Sequence, residues 1–126
     1  MYKSYNPNPQ HKRVGDCTVR AVAKVLGQSW EEAYVGMCLQ GYLMSDLPSS
    51  NDIWGEYLKS KGFCRYKIPN EDRFYTIRDF CAENKNGTFA LGTGTHAVAV
   101  LDGDYYDTWD SGDEIVLYVW VKKERT

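Results

Sequence analysis

The pattern of the chain changes near residue 87. Before that point the sequence carries helix-capping signals, and after it short apolar runs alternate with turns that contain Gly or Asp. This order is typical of an α+β fold in which N-terminal helices pack on a C-terminal antiparallel sheet. Because the chain has only 126 residues, we expect a single domain over residues 1–126. Residues 1–16 hold two Asn-Pro pairs and are expected to form an extended N-terminal arm.

Capping signals predict four helices. The first covers Cys17–Leu26, which is apolar on nearly all sides, as expected of a central buried helix. The others start after Ser29, near Ser50 and after Thr76. The apolar stripe predicted for the second helix consists of Tyr34, Val35, Cys38 and Leu39.

Charge and cysteine spacing restrict the partners. The chain carries 15 Lys and Arg against 17 Asp and Glu, without a long basic run, so nucleic acid is not an expected partner. No apolar stretch approaches the length of a membrane span, so no membrane partner is expected. The four cysteines show no C-x-x-C spacing and are expected to be free thiols of a cytoplasmic protein. The oligomeric state is left open.

Cys17 differs from the other three cysteines. It follows a Gly-Asp turn at the start of the predicted central helix, where unpaired N–H groups and the helix dipole favour a thiolate. Cys38, Cys64 and Cys81 fall on apolar faces of their predicted elements, which is typical of structural cysteines. Position alone leaves open whether Cys17 is a nucleophile or an ordinary helix residue.

A predicted hairpin connects His96 with Asp107. Asp102-Gly103 lies between two apolar runs and predicts a two-residue type I′ turn, which places Val98 opposite Asp107. His96 and Asp107 then share one sheet face as a diagonal pair, and the carboxylate is expected to accept the Nδ1 proton of His96. A three-residue loop would shift this parity and put Asp110 in the place of Asp107.

These segments together resemble the papain-like cysteine peptidase superfamily, with a Cys at the start of a central helix, a later His that opens a strand and an Asn or Asp on the next strand. Residues 107–109, Asp-Thr-Trp, resemble the Asn-Ser-Trp of papain-type enzymes, with Asp in place of Asn as in several bacterial branches. Residues 15–21, Gly-Asp-Cys-x-x-Arg-Ala, are similar to short papain-like proteins of bacteria and phages. The resemblance implies a papain-like fold, with Cys17 as nucleophile, His96 as general base and acid, and Asp107 as the orienting group.

The same family places an oxyanion-stabilising side chain, usually Gln, about six residues before the nucleophile. Here His11 stands at that position, so the resemblance implies Gln10 as the nearest amide, with Asn8 next. Trp109 is expected to wall the substrate cleft and to shield the bond between His96 and Asp107 from water.

The predicted function is therefore a small cysteine hydrolase that cleaves a peptide or isopeptide bond in a peptide or protein substrate, with no metal and no organic cofactor. Two alternatives stay open at this point. One is an acyl or amine transferase that uses the same three residues. The other is a non-catalytic binding module with a papain-like shell.

Overall fold

The computed structural model describes residues 1–69 and 74–122, which form an α+β fold of four helices and one six-stranded sheet. No helix within these residues has the length and apolar character needed to cross a membrane. The elements in chain order are β1 (Tyr2–Ser4), α1 (Cys17–Leu26), α2 (Trp30–Met44), α3 (Asn51–Ser60), β2 (Phe63–Lys67), α4 (Ile77–Glu83), β3 (Thr88–Gly92), β4 (Ala97–Leu101), β5 (Asp104–Asp107) and β6 (Tyr118–Lys122).

Local signals set the helix boundaries. The prediction for α1 is confirmed at both ends, and Gly27 terminates it in the left-handed conformation with φ 65°. Ser29 and Thr76 each form a capping box with the acidic residue three positions later, at the starts of α2 and α4. Each of these helix ends is determined by contacts between residues a few positions apart, which explains why the sequence predicts them well.

The predicted antiparallel sheet is wrong in two respects. The strand order is β1-β5-β4-β3-β6-β2, and β1 pairs with β5 in parallel, with Tyr2 beside Tyr105. The N-terminal arm therefore supplies an edge strand and makes the sheet mixed. In addition, β6 pairs with β3 and with β2, so the sheet also contains a strand from the helical half of the chain.

The predicted hairpin register is confirmed. Leu101 pairs with Asp104 and Val100 with Tyr105, as a two-residue loop requires. Asp102 and Gly103 have φ values of 50° and 83°, the positive values of a type I′ turn. The Asp102 carboxylate also accepts a 2.9 Å hydrogen bond from the N–H of Gly87, a residue outside the turn, and this bond stabilises the turn.

Helices cover both faces of the sheet. On one face α1 packs against the alanines of β4, Ala97 and Ala99, whose small side chains let the helix approach closely. On the other face α4 packs against Val98 and Val100. Because β4 is covered on both faces, it is apolar at every position. The packing of α1 on β4 places the start of α1 near His96, the residue directly before β4.

The predicted apolar stripe of α2 faces the wrong way. Tyr34, Val35 and Leu39 are 46%, 65% and 58% exposed, while the buried side of α2 carries Ala33, Met37 and Gly41. Small residues allow close helix packing here, since a Cβ at position 36 would lie 2.3 Å from the hydroxyl oxygen of Tyr57. The contact geometry with α1 and α3, rather than the total hydrophobicity of one side, selects the buried face.

Candidate active site

A cavity of about 260 Å³ lies between the start of α1 and the start of β4. Three separate parts of the chain reach it: the turn into α1, the turn into α3, and the glycine-containing loop between β3 and β4. Its lining includes Gly15, Cys17, Ser49, Asn51, Thr95 and His96. The candidate nucleophile and the candidate base predicted from the sequence therefore share one cavity.

His96 connects Cys17 with Asp107. Its Nε2 lies 2.6 Å from Oδ2 of Asp107, and it lines the same cavity as Cys17, close enough to lower the pKa of that thiol. The expectation that Asp107 binds Nδ1 is wrong: the carboxylate binds Nε2, which leaves Nδ1 for the sulfur. Strand register determines which residues share a face, but rotation of the imidazole about its own bonds is decided by the groups around it.

The Asp107 carboxylate is buried, with 1% exposure, and both of its oxygens are fully hydrogen-bonded. Oδ2 accepts bonds from His96 and from the Ser111 hydroxyl at 2.7 Å. Oδ1 accepts bonds from the N–H of Thr108 at 2.7 Å and from Arg20 at 3.1 Å. Four donors hold the carboxylate in one position, so it in turn fixes the orientation of the imidazole. Sequence reasoning did not assign this role to Ser111.

Arg20 extends the network into the core. Its guanidinium forms ion pairs with Asp107 and, across one helical turn, with Asp16. The second oxygen of Asp16 accepts a 2.8 Å hydrogen bond from the indole N–H of Trp30. Because both oxygens of Asp16 are engaged in this way, its side chain does not cap α1. The N–H groups of the first turn of α1, including that of Cys17, are therefore left uncapped by this side chain.

The surroundings of Cys17 favour its thiolate. Burial by itself would raise the pKa of Cys17, but hydrogen bonds from His96 and from the N–H of Ala97, together with the positive charges of His96 and Arg20, hold that pKa below its ordinary value. For His96, burial disfavours the charged ring, yet the bonds to Asp107 and Cys17 raise its pKa to about 9. Both shifts favour the ionised form of the pair, thiolate and imidazolium, over the neutral form.

Cys81 provides a contrast within the same chain. Burial also acts on its thiol, but no hydrogen-bond donor compensates for it, and burial raises the pKa of Cys81 to about 11. The depressed pKa of Cys17 therefore comes from its partners and not from burial.

The alternative third member, Asp110, lies elsewhere. Its carboxylate accepts hydrogen bonds from the Tyr105 hydroxyl, the N–H of Gly112 and Arg78, and it is half exposed. The Tyr105 hydroxyl keeps the pKa of Asp110 below its ordinary value. Since His96 bonds to Asp107, the two-residue turn resolves the choice that the sequence left open.

Gln10, the predicted oxyanion residue, is not among the residues that line the cavity of Cys17. Gln10 is exposed, and its backbone N–H donates to the side chain of Asn8. Asn8 is buried, but its Oδ1 accepts from the N–H groups of Gln10 and Lys12, and it lines a neighbouring groove. The side-chain amide that does line the cavity is that of Asn51.

Trp109 covers His96 on the solvent side. The two ring centroids are 5.2 Å apart and the planes are tilted by 42°, while the His96 side chain is only 11% exposed. Trp109 thus contacts the imidazole, but it is not among the residues that line the cavity, where it was predicted to form a wall. In residues 1–69 and 74–122 no three His, Cys, Asp or Glu side chains are arranged to hold a metal ion.

A second groove adjoins the cavity and shares Gly15, Thr18 and Ser49 with it. Its walls are mainly apolar and include Trp30 and Met37. Together the two depressions form a continuous surface on either side of the start of α1.

No protein-family model matches this chain, and neither the curated proteins nor the solved structures contain a significant match to it.

Proposed function

We propose that this protein is a papain-like cysteine hydrolase that cleaves an amide bond, either peptide or isopeptide, in a peptide or protein. The observation that carries the proposal is the 2.6 Å bond between His96 and the buried Asp107, with the Cys17 thiol in the same cavity as the His96 ring. A nucleophile, a base and a group that orients the base, in this order, define the geometry of covalent acyl transfer. We also propose a cytoplasmic location, supported by free thiols at all four cysteines.

The proposed reaction begins with attack of the Cys17 thiolate on the carbonyl carbon, which forms an S–C bond and a tetrahedral oxyanion. His96 then donates its Nδ1 proton to the leaving nitrogen as the C–N bond breaks, and a thioester remains. Neutral His96 next takes a proton from water as the water oxygen attacks the thioester. Collapse of this second intermediate expels the thiolate and releases the acid, which restores the ion pair.

A peptide substrate is supported by the surface around the cavity. The apolar groove that contains Trp30 and Met37 continues the cavity across Gly15. An extended chain lying across the start of α1 would place its carbonyl at Cys17 and an apolar side chain in this groove. A small enclosed substrate would not require the second groove.

The test is site-resolved alkylation followed by turnover. We expect iodoacetamide at pH 6 to label Cys17 before Cys81, as read by peptide mass mapping, because the pKa of Cys17 is lowered and that of Cys81 is raised. Cys17→Ala should remove this rapid labelling, and His96→Gln should slow it. Labelling that is equally fast at Cys81, or that survives Cys17→Ala, would contradict the assignment of the nucleophile.

Turnover is then measured on a mixture of peptides with and without an added amine. Hydrolysis predicts new carboxyl termini that require Cys17. Products that carry the added amine would identify the transferase alternative, which uses the same three residues. A reactive Cys17 with no product from any peptide would favour the non-catalytic binding module.

A further inference from the structure

We propose that Asn51 supplies the side-chain donor of the oxyanion site, because Asn51 lines the cavity with Cys17 and His96 and Gln10 does not. This inference rests on the proposed hydrolase function. Asn51 is the first residue of α3 and lines the same cavity as Cys17 and His96. It therefore reaches the cavity from an element 34 residues after the nucleophile.

The orientation of the Asn51 amide is fixed by chemistry. Its Oδ1 accepts a 2.9 Å hydrogen bond from the indole N–H of Trp54, which is fully buried and so cannot move aside. Because an indole N–H only donates, the amide oxygen must face Trp54 and the NH₂ group must point away from it. No described residue accepts a hydrogen bond from this NH₂ group, so both of its protons remain available to a ligand in the cavity.

A second donor comes from the backbone at the start of α1. The Asp16 side chain, which would ordinarily cap this helix, is engaged by Arg20 and Trp30 instead. The N–H of Cys17 is therefore not capped by Asp16 and lies at the positive end of the helix dipole. One backbone N–H and one side-chain NH₂ make up the donor pair of a typical oxyanion site.

The Cys17 N–H and the Asn51 NH₂ group are expected to bind the acyl oxygen of the substrate. This oxygen becomes negative when the Cys17 thiolate adds to the carbonyl, and the two donors stabilise that charge before the C–N bond breaks. Alkylation of the same thiolate by iodoacetamide displaces iodide and forms no oxyanion. The two reactions of one sulfur therefore separate nucleophile activation from oxyanion stabilisation.

The experiment compares these two rates in each variant. Acylation is followed by the release of p-nitrophenol from p-nitrophenyl acetate, and alkylation by loss of free Cys17 with iodoacetamide at the same pH. Asn51→Asp keeps the acceptor for Trp54 but has no N–H, and Asn51→Ala removes both. Asn86→Ala, on the exposed turn before β3, is the matched control.

We expect the ratio of acylation to alkylation to fall tenfold or more in both Asn51 variants, since loss of one oxyanion donor costs on the order of 100-fold in rate. Asn86→Ala should leave the ratio unchanged. A ratio within about threefold of the native protein in Asn51→Asp would overturn the role of Asn51 while leaving the proposed function intact. Absence of any Cys17-dependent acylation in the native protein would overturn both.

Discussion

Replacing Arg20 by Met removes the cation that lies between two buried carboxylates. Arg20, Asp16 and Asp107 have side-chain exposures of 6%, 7% and 1%. Met preserves much of the length and the apolar stem of Arg, so the change removes charge and hydrogen bonds more than volume. Asp16 keeps its bond from Trp30 but loses the cation beside it, while Asp107 loses Arg20 and keeps three donors, one of which is His96.

The cost follows from burial. Removing one partner of a buried ion pair leaves an uncompensated charge and typically destabilises by about 3–5 kcal/mol. A chain of this size is stable by roughly 6–19 kcal/mol at about 0.05–0.15 kcal/mol per residue. With a urea dependence of about 2 kcal/mol per molar, Arg20→Met should lower the midpoint of unfolding by roughly 2 M.

The chain contains its own control. Arg78 also lies between two carboxylates, those of Asp110 and Asp113, but these three side chains are 54%, 52% and 89% exposed. Arg78→Met should therefore shift the urea midpoint far less than Arg20→Met, because water already screens these charges. Unfolding is followed by tryptophan fluorescence for both variants under the same conditions.

A rescue variant tests the cause of the loss. Adding Asp16→Asn to Arg20→Met should recover part of the lost stability, since it removes the buried Asp16 charge that Arg20 neutralised. The reasoning is refuted if Arg20→Met lowers the midpoint by no more than Arg78→Met. It is also refuted if neutralising Asp16 makes the variant less stable still.

Two further predictions concern pH and packing. The alkylation rate of Cys17 should rise at a pH below the ordinary range of a cysteine, because the pKa of Cys17 is lowered, and it should change again near pH 9, where His96 loses its proton. His96→Gln should give a single rise near pH 8.5. The same single rise in the native protein would contradict the ion pair. Gly92→Ala should destabilise the folded protein by about 1–3 kcal/mol, because its Cβ would lie 2.1 Å from the Tyr118 ring. A Cβ at Gly15 would meet no atom within 4 Å, so Gly15→Ala should leave the unfolding midpoint almost unchanged.

The pairing of His96 with Asp107 shows how far sequence reasoning reaches. The Asp102-Gly103 turn fixes the register of β4 and β5, and a register places side chains on a known face. The same reasoning assigned the wrong imidazole nitrogen, since no strand pattern determines the rotation of a ring. It also selected Gln10 from its distance along the chain, although the donor that lines the cavity belongs to α3.

The sequence by itself determined the features that depend on neighbours in the chain: the ends of α1, the caps of α2 and α4, and the turn that aligns His96 with Asp107. Capping and turn formation involve residues within about four positions, so their signals are local. Only the tertiary structure decided the parallel pairing of β1, the buried face of α2 and the placement of Asn51 and Cys17 on one cavity. Each of these depends on close packing between distant segments, which no local pattern encodes.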